Sequence, residues 1–230
     1  MPEDSLPAAR ITELLHAALH EIAGPAGQIH RIAEFIQQSS DSRDGDLQSW
    51  LSYLTTASSR LTDSLQALRR YAEALEIPHE RSRFTLEQSV NSAKISLASH
   101  CNIETSELPV IEADPRRVHL LMSELLKNAS KFRTADVCEI RISAANEGAN
   151  VVVSVADNGI GIEPRQIERI FNPFVRVWGD RFPGSGMGLT IARTLVETWS
   201  GRIWVEPGQQ GGSVFRFTVP AAVRISEHAT

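Results

Sequence analysis

The sequence predicts an α + α/β fold class: an N-terminal antiparallel helical hairpin, paired as a dimeric four-helix bundle, precedes a two-layer α/β sandwich. Two observations lead to this prediction. In residues 1–77, apolar residues recur at alternating steps of four and three, which is the repeat of a coiled-coil seam. In residues 84–222, amphipathic helical segments are mixed with segments of period two, which indicate strands joined as antiparallel hairpins.

The first predicted element is a pair of long helices joined by a polar turn at residues 37–46. The seam positions of the first helix are Ile11, Leu15, Ala18, Ile22, Pro25, Ile29, Ile32 and Ile36. Those of the second helix are Leu47, Leu51, Leu54, Ser58, Leu61, Leu65, Leu68, Ala72 and Leu75. Apolar residues beside each seam make the stripes wider than one hairpin can bury. We therefore expect a homodimer, in which a second copy completes the four-helix bundle.

A linker at residues 78–83 separates the hairpin from the predicted sandwich, and residues 223–230 form a tail. Predicted helices cover residues 85–99, 114–132 and 186–201, and predicted strands cover residues 137–145, 151–157, 202–206 and 213–220. Asp114 is placed as an N-cap, and Pro115 follows at the first helical position, where its missing N–H costs nothing.

Composition excludes some classes of protein. The chain has 230 residues, 42% of them hydrophobic and 22% charged, with a net charge of −5, so it lacks the cationic character of nucleic-acid-binding proteins. The two cysteines, Cys101 and Cys138, have neither a metal-binding nor a redox spacing. We find no apolar run long enough to cross a bilayer and no signal peptide, so a cytoplasmic location is expected.

One helical face in the second half carries three polar residues. Glu124, Asn128 and Lys131 follow one another at steps of four and three, so they project from the same side of the predicted helix. A carboxylate, an amide oxygen and an ammonium group together suit a hydrated Mg²⁺ ion and the phosphates that it bridges. The alternative is a solvated face with an i, i+4 pair.

Two glycine-rich motifs follow. In "DNGIGI" (residues 157–162), a buried Asp157 suits an exocyclic amine, and Gly159 and Gly161 allow backbone conformations that side chains disfavour; the alternative is a simple turn. In "PGSGMGL" (residues 183–189), glycines precede a helix N-terminus, which is a cradle for phosphate. This second motif is weak evidence by itself, and it is not a Walker P-loop.

His20 and Glu21 lie in the first helix, with Pro25 one turn further on. The predicted register places His20 on the outward face, away from the seam. The alternative interpretation is an ordinary solvated histidine, since His16 and His30 lie on the same helix. Pro25 predicts a bend just after His20, because proline removes a helical hydrogen bond.

Taken together, these motifs resemble those of sensor histidine kinases. Residues 84–220 are similar to their ATP-binding domain, which belongs to the wider family shared with gyrase-like ATPases. "ELLKNASKF" resembles the N box, "DNGIGI" the first glycine box, "IFNPFVRV" the F box and "GSGMGL" the second glycine box. Residues 6–77 resemble the dimerisation and phosphoacceptor hairpin, with "HEIAGPA" at the acceptor motif. The stretch from Arg181 to Glu206 is most similar to bacteriophytochrome-type kinases.

The resemblance implies a site for ATP and Mg²⁺. In the implied site, Asn128 ligates the Mg²⁺ ion, Glu124 acts on the ion through a water, and Lys131 contacts phosphate. Phe132 packs near the adenine, and Asp157 binds the adenine amino group. Further site residues shape the base pocket, line the phosphate side or anchor a lid at residues 177–183; these are Gly159, Gly161, Phe171, Phe174, Gly184, Ser185, Gly186, Met187, Gly188 and Leu189. Arg176 is placed near the γ-phosphate, the alternative being an exposed lid charge.

The resemblance also implies the reaction. His20 attacks the γ-phosphate of ATP, Glu21 takes the imidazole proton, and the phosphoryl group then passes to an aspartate on the receiver domain of a response regulator. An upstream sensor domain is expected outside this chain. Gly24 stands where many family members have Thr or Asn, so weak or absent phosphatase activity is expected. Two alternatives are a phosphotransfer or scaffolding protein with an inactive nucleotide domain and a gyrase-like ATPase that drives a clamp.

Overall fold

Two long helices form the N-terminal hairpin of the computed structural model, which describes residues 8–38, 44–77, 79–95, 97, 101–134, 137–182, 184–208 and 211–222. Helix α1 spans Ala8–Gln38 and helix α2 spans Asp44–Glu76, and the two pack along each other. Helix α1 continues through Pro25, because one missing hydrogen bond is tolerated within a long helix. Much of the predicted polar turn, residues 39–43, lies outside the described residues, as does the predicted tail.

The buried line of the hairpin differs from the predicted seam. On α2 the buried residues are Ala57, Ser64, Ala67, Tyr71 and Ala74. The predicted seam residues Leu47, Leu51, Leu65 and Leu75 are exposed, and Leu15 on α1 is 55% exposed. The seam prediction is therefore wrong for these positions. Ala67, Tyr71 and Ala74 belong to the core shared with the second domain. Ala57 and Ser64 are small and allow close approach of the two helices, whereas the leucines lie to one side of that contact.

The second part of the chain contains three helices and seven strands among the described residues. The helices are α3 (Leu86–Ile95), α4 (Pro115–Lys131) and α5 (Gly188–Glu197). The strands are β1 (Ser82–Thr85), β2 (Cys101–Thr105), β3 (Val110–Ala113), β4 (Cys138–Glu147), β5 (Asn150–Asp157), β6 (Ile203–Pro207) and β7 (Ser213–Pro220).

The main sheet has the strand order β2-β4-β5-β7-β6. Strand β2 runs parallel to β4, and the remaining neighbours are antiparallel. Alternate residues of β7 are buried, because the helices cover one face of the sheet. This arrangement, together with the hairpin, confirms the predicted fold class, in which one layer of helices packs on one sheet.

Three short strands were not predicted. Strands β1 and β3 form a separate antiparallel pair, in which Phe84 lies opposite Ile111. Strand β1 begins at Ser82, inside the segment predicted as a linker, and its last residue is Thr85, where a helix was predicted to begin. Strands of four or five residues have too few positions to show a period of two, and their partners are distant in sequence.

Strand β2 also brings the two cysteines together. Cys101 lies directly opposite Cys138 in the parallel pairing of β2 with β4. Burial raises the pKa of the Cys138 thiol, and its hydrogen bond with Cys101 raises it further. The separation of the cysteines in sequence concealed this contact.

Helix α4 begins at the cap that the sequence predicts. The Asp114 carboxylate accepts hydrogen bonds from the backbone N–H groups of Arg116 at 2.9 Å and Arg117 at 3.4 Å. A third backbone bond comes from Glu80 at 2.9 Å. Burial by itself raises the pKa of Asp114, but the bonds from Arg116, Glu80 and Arg117 outweigh it, so the pKa is lowered. The cap fixes the start of α4 and thereby the direction of its polar face.

The hairpin packs directly on the second domain. Tyr71 of α2 is buried, and its hydroxyl accepts a hydrogen bond from Oγ1 of Thr194 on α5 at 3.4 Å. The buried guanidinium of Arg117 donates to the carbonyl of Ile77, just beyond the end of α2. The last turns of α2 therefore share the hydrophobic core of the sandwich.

Candidate active site

A cavity of about 290 Å³ opens between α4, the end of β5, the segment at residues 175–182 and the glycine-rich loop before α5. Twelve of the predicted site residues line it: Glu124, Asn128, Lys131, Phe132, Asp157, Gly161, Arg176, Gly184, Ser185, Gly186, Gly188 and Leu189. Gly159, Phe171, Phe174 and Met187 lie behind its walls, and His20 and Glu21 lie on the hairpin. The structure thus brings together three motifs that are spread over residues 124–189 of the sequence.

Asp157 is held at one end of the cavity. Its Oδ1 accepts hydrogen bonds from the N–H groups of Gly159 at 2.8 Å and Ser213 at 3.2 Å. Because both bonds go to Oδ1, the second oxygen is available to a ligand donor. Burial raises the pKa of Asp157, although the two backbone bonds act in the opposite direction. Ser213 was not predicted, since it lies 56 residues away on another strand.

The glycine motif after β5 serves close backbone packing. A Cβ atom at Gly159 would lie 2.7 Å from the carbonyl oxygen of Phe132. The same two segments are joined by a hydrogen bond of 3.0 Å from the N–H of Ile160 to the Phe132 carbonyl. Gly159 therefore holds the end of β5 against the end of α4, which places Asp157 beside Phe132.

Three aromatic side chains pack over the same end of the cavity. The ring centroid of Phe132 lies 4.8 Å from that of Trp178 and 5.1 Å from that of Phe182. Phe132 was predicted to contact a base, but Trp178 and Phe182 were not singled out. Aromatic faces beside a carboxylate suit a flat heterocycle with an amino group.

The polar face of α4 also lines the cavity. A Cβ atom at Gly188 would lie 2.7 Å from Oε2 of Glu124 and 3.7 Å from both amide atoms of Asn128. Glu124 and Asn128 thus converge on the N-terminus of α5. The carboxylate and amide oxygens fit a hard cation such as Mg²⁺, which takes few protein ligands when phosphates complete its shell.

Two cationic side chains, Lys131 and Arg176, also line the cavity. Burial lowers the pKa of Lys131, and the positive charge of Arg176 lowers it further. The Lys131 ammonium lies across the glycine-rich loop, where a Cβ at Gly184 would come within 2.6 Å of Nζ. The Arg176 guanidinium donates to the carbonyls of Gly179 at 2.7 Å and Phe182 at 3.2 Å, so it also holds the lid segment.

The lid begins at residues that are packed behind the cavity. Phe171 is buried, and its carbonyl accepts a hydrogen bond from Thr190 of α5 at 3.2 Å. Phe174 has a φ of 60°, which a phenylalanine adopts only when its surroundings enforce it. Gly186 has a φ of +76°, and a Cβ there would lie 2.7 Å from the carbonyl oxygen of Val175. These contacts explain why the predicted anchors do not line the cavity themselves.

On the hairpin, His20 is exposed and Glu21 is half-buried. The outward position of His20 agrees with the predicted register. Neither residue lines the cavity.

No helix in the described part of the chain is both long and apolar enough to span a bilayer.

Comparisons with known proteins agree with this geometry. Residues 113–223 match the family of histidine kinase-, DNA gyrase B-, and HSP90-like ATPases. The chain is 28% identical over 226 residues to Cyanobacterial phytochrome A of Nostoc sp. (strain PCC 7120), covering 95% of this chain and 30% of that protein. It is 30% identical over 224 residues to Sensor histidine kinase TrcS of Mycobacterium tuberculosis, covering 92% of this chain and 44% of that protein.

A solved structure extends the likeness to both domains. The histidine kinase ThkA, in complex with the response regulator protein TrrA, has a TM-score of 0.66 and 24% identity, covering 94% of this chain and 63% of that chain. At this identity the comparison concerns the fold. This chain spans about a third of the length of Cyanobacterial phytochrome A.

The sheet, its covering helices and the glycine-lined cavity agree with the match of residues 113–223 to the histidine kinase-, DNA gyrase B-, and HSP90-like ATPases. The matches to named kinases continue through the hairpin, which supports the sensor histidine kinase catalytic core that the sequence motifs predicted. The match to a phytochrome agrees with the predicted likeness to bacteriophytochrome-type kinases.

Proposed function

We propose that this chain uses ATP to phosphorylate its own His20 and then passes the phosphoryl group to an aspartate of a response regulator. One observation carries the proposal: a single chain holds both the nucleotide cavity around Asp157 and an exposed histidine next to a carboxylate. A clamp ATPase does not need an exposed histidine next to a carboxylate, and a scaffolding protein does not need a nucleotide cavity.

The cavity residues contact different parts of the nucleotide and its metal ion. Asp157 accepts a hydrogen bond from the adenine amino group, and Phe132 packs on the ring. Lys131 lies across the glycine-rich loop and binds phosphate oxygens there. Asn128 and Glu124 would hold Mg²⁺, which when bound neutralises phosphate charge. Arg176 is within the same cavity and is our candidate for the γ-phosphate.

Phosphorylation of His20 requires that its imidazole lose one proton. A bond forms between Nε2 of His20 and the γ-phosphorus, and the bond from that phosphorus to the bridging oxygen of ADP breaks. Imidazole attacks through one nitrogen when the other releases its proton. Glu21, adjacent in sequence, is our candidate to accept that proton from Nδ1.

The test is to incubate the chain with γ-labelled ATP and Mg²⁺. We expect a labelled protein whose label is lost in acid and kept in alkali, because a phosphorus–nitrogen bond hydrolyses when its nitrogen is protonated. Steady hydrolysis of ATP with unlabelled protein would support the gyrase-like alternative. Failure to bind nucleotide would support the scaffold.

The hairpin carries an apolar surface that fits a second copy. Leu15 and Leu19 lie four residues apart on α1, with 55% and 65% of their surfaces exposed. Leu47, Leu51 and Leu65 lie on one side of α2 and are also exposed. At about 100° per residue, both stripes are displaced in the same rotational sense from the contact line between the helices. In an antiparallel pair this puts them on the same side of the hairpin, so we propose a homodimeric four-helix bundle.

Replacing Leu51 and Leu65 together with glutamate should convert a dimer to a monomer, since the charges would be desolvated in the bundle. Light scattering after gel filtration should then give about 25.4 kDa instead of twice that mass. Gln48→Glu combined with Gln66→Glu is the matched control, because both side chains are exposed on the neighbouring surface of α2 and the pair adds the same two charges. A wild-type chain that is monomeric at micromolar concentration would contradict the dimer.

A response regulator receiver domain is the proposed partner for the second step. The solved complex of ThkA with TrrA supports a partner of this class. We place its docking surface on the hairpin around His20, since the acceptor aspartate must reach the phosphoryl group there. A cytoplasmic location and an input from a separate sensor domain stay predictions.

A further inference from the structure

One cavity residue comes from outside the ATP-binding domain. Arg70 lies on α2, yet it lines the same cavity as Glu124, Asn128 and Gly188. It lies three residues after Ala67 and four before Ala74, both of which are buried in the core shared with the sandwich. Arg70 is therefore at the edge of the helical face by which the hairpin packs on the second domain.

The docking of α2 on α5 fixes this position. Tyr71, the next residue, is buried and accepts the hydrogen bond from Thr194 at 3.4 Å. Helix α5 begins at Gly188, on the polar side of the cavity, so α2 approaches the cavity from that side. The approach brings Arg70 into the wall of the cavity that Glu124 and Asn128 also line.

The charges around Arg70 point to an anionic ligand. The neighbouring Arg69 pairs with Glu73 at 2.7 Å, whereas within the described part of the chain Arg70 has no hydrogen bond or ion pair. Among the other cavity cations, Lys127 lies 4.0 Å from Glu124, and Arg176 is bonded to two carbonyls of the lid. The guanidinium of Arg70 has its donors available, and its planar fork matches the geometry of phosphate oxygens.

We infer that Arg70 binds the terminal phosphates of the nucleotide, so that the hairpin completes the nucleotide site of its own chain when the two domains are docked. The inference rests on the proposed function, since it takes ATP as the ligand. It adds a phosphate-binding residue that none of the glycine-rich or polar motifs contains. By thermodynamic linkage, a nucleotide that Arg70 binds must favour the docked arrangement to the same extent that docking favours the nucleotide.

The test measures nucleotide affinity by calorimetry for the full chain, with AMPPNP, ADP and adenosine as three separate ligands in the presence of Mg²⁺. AMPPNP carries three phosphates and is not turned over. Arg70→Ala should weaken AMPPNP about tenfold, weaken ADP less and leave adenosine unchanged, because the lost contact is to phosphate. Arg69→Ala is the matched control, since it removes the same charge one residue away and should change none of the three affinities.

A second pair of variants tests whether the hairpin delivers the contact. Ala67→Glu places a charge in the buried contact between α2 and the second domain and should weaken AMPPNP about as much as Arg70→Ala does. Adding Arg70→Ala to this variant should cause no further loss. Far-ultraviolet circular dichroism checks that each variant keeps its helices.

The outcomes separate the two proposals. Equal AMPPNP affinity for wild type and Arg70→Ala would overturn the inference and leave the proposed function standing. A uniform loss for AMPPNP, ADP and adenosine would also overturn it, because the effect would then be structural. A wild-type chain that binds none of the three ligands would contradict the proposed function, and this inference would fall with it.

Discussion

Replacing His20 with glutamine should abolish the acid-labile label that we expect the chain to acquire from γ-labelled ATP. Glutamine keeps a polar side chain on an exposed position of α1, so the helix should fold normally. It has no nucleophilic nitrogen, and labelling should therefore fall at least about 100-fold, to background. The measurement is phosphorimaging of the chain after a fixed reaction time, with the acid stability of any remaining label determined in parallel.

His30→Gln is the matched control for this experiment. His30 is also exposed on α1, where Nε2 lies 3.2 Å from Glu34, so the substitution removes a surface imidazole without touching the proposed acceptor. Labelling of this variant should equal that of wild type. Nucleotide affinity of His20→Gln should be unchanged, since His20 does not line the cavity. Label that persists on His20→Gln would refute the assignment of the acceptor.

Replacing Asp157 with asparagine should weaken the binding of ATP, ADP and adenosine alike, by about 100-fold. Asparagine is nearly isosteric, and its amide oxygen can still accept the hydrogen bonds from Gly159 and Ser213. Its NH₂ group then faces the adenine amino group, so two donors meet in a half-buried site. A loss of about 2.8 kcal/mol is the expected scale for a buried polar group left without its partner.

The pattern across ligands distinguishes a base contact from a phosphate contact. Asp157→Asn should affect adenosine as much as ATP, whereas the Arg70 variant should spare adenosine. Glu139→Gln is the control, because Glu139 is exposed on β4 and loses the same charge. Undiminished adenosine binding by Asp157→Asn would show that the carboxylate does not bind the base.

Acidification provides a second readout for Asp157. Because burial raises the pKa of this group, its carboxylate takes up a proton at a higher pH than an exposed aspartate does. The protonated form is a poorer acceptor for the adenine amino group. As the pH is lowered, wild-type affinity should therefore begin to fall at a higher pH than the one at which ordinary aspartates protonate, and the asparagine variant should lack this part of the pH dependence.

The ligand-binding motifs could be predicted because each is contiguous in sequence. The polar face of α4 follows from the helical period alone, and the structure places Glu124 and Asn128 beside Gly188. Trp178 and Phe182 could not be found in this way, since the lid has no regular period and its aromatic contacts depend on tertiary packing. The same reason applies to Ser213, whose N–H meets Asp157 only when β5 and β7 are paired.

The hairpin shows a different limit of sequence analysis. A heptad pattern records which positions are apolar, but it does not say which partner each position meets. Tyr71 and Ala74 were outside the predicted seam because they face the second domain, and Leu51 and Leu65 were inside it although the single chain leaves them exposed. Arg70 was overlooked for the same reason, since the contact between Tyr71 and Thr194 spans 123 residues.

The position at which the second domain meets α2 sets the distance over which the proposed phosphoryl transfer must take place. His20 lies 18 residues before α1 ends at Gln38, and Arg70 lies 26 residues after α2 begins at Asp44. At a rise of about 1.5 Å per residue, the two lie about 27 Å and about 39 Å from the tip of the hairpin, which is an axial offset of about 12 Å. Under the proposed function, a nucleotide bound at Arg70 is thus farther from the tip of the hairpin than His20 is. The second domain must move along the hairpin axis, towards the tip, before the γ-phosphate can reach the imidazole.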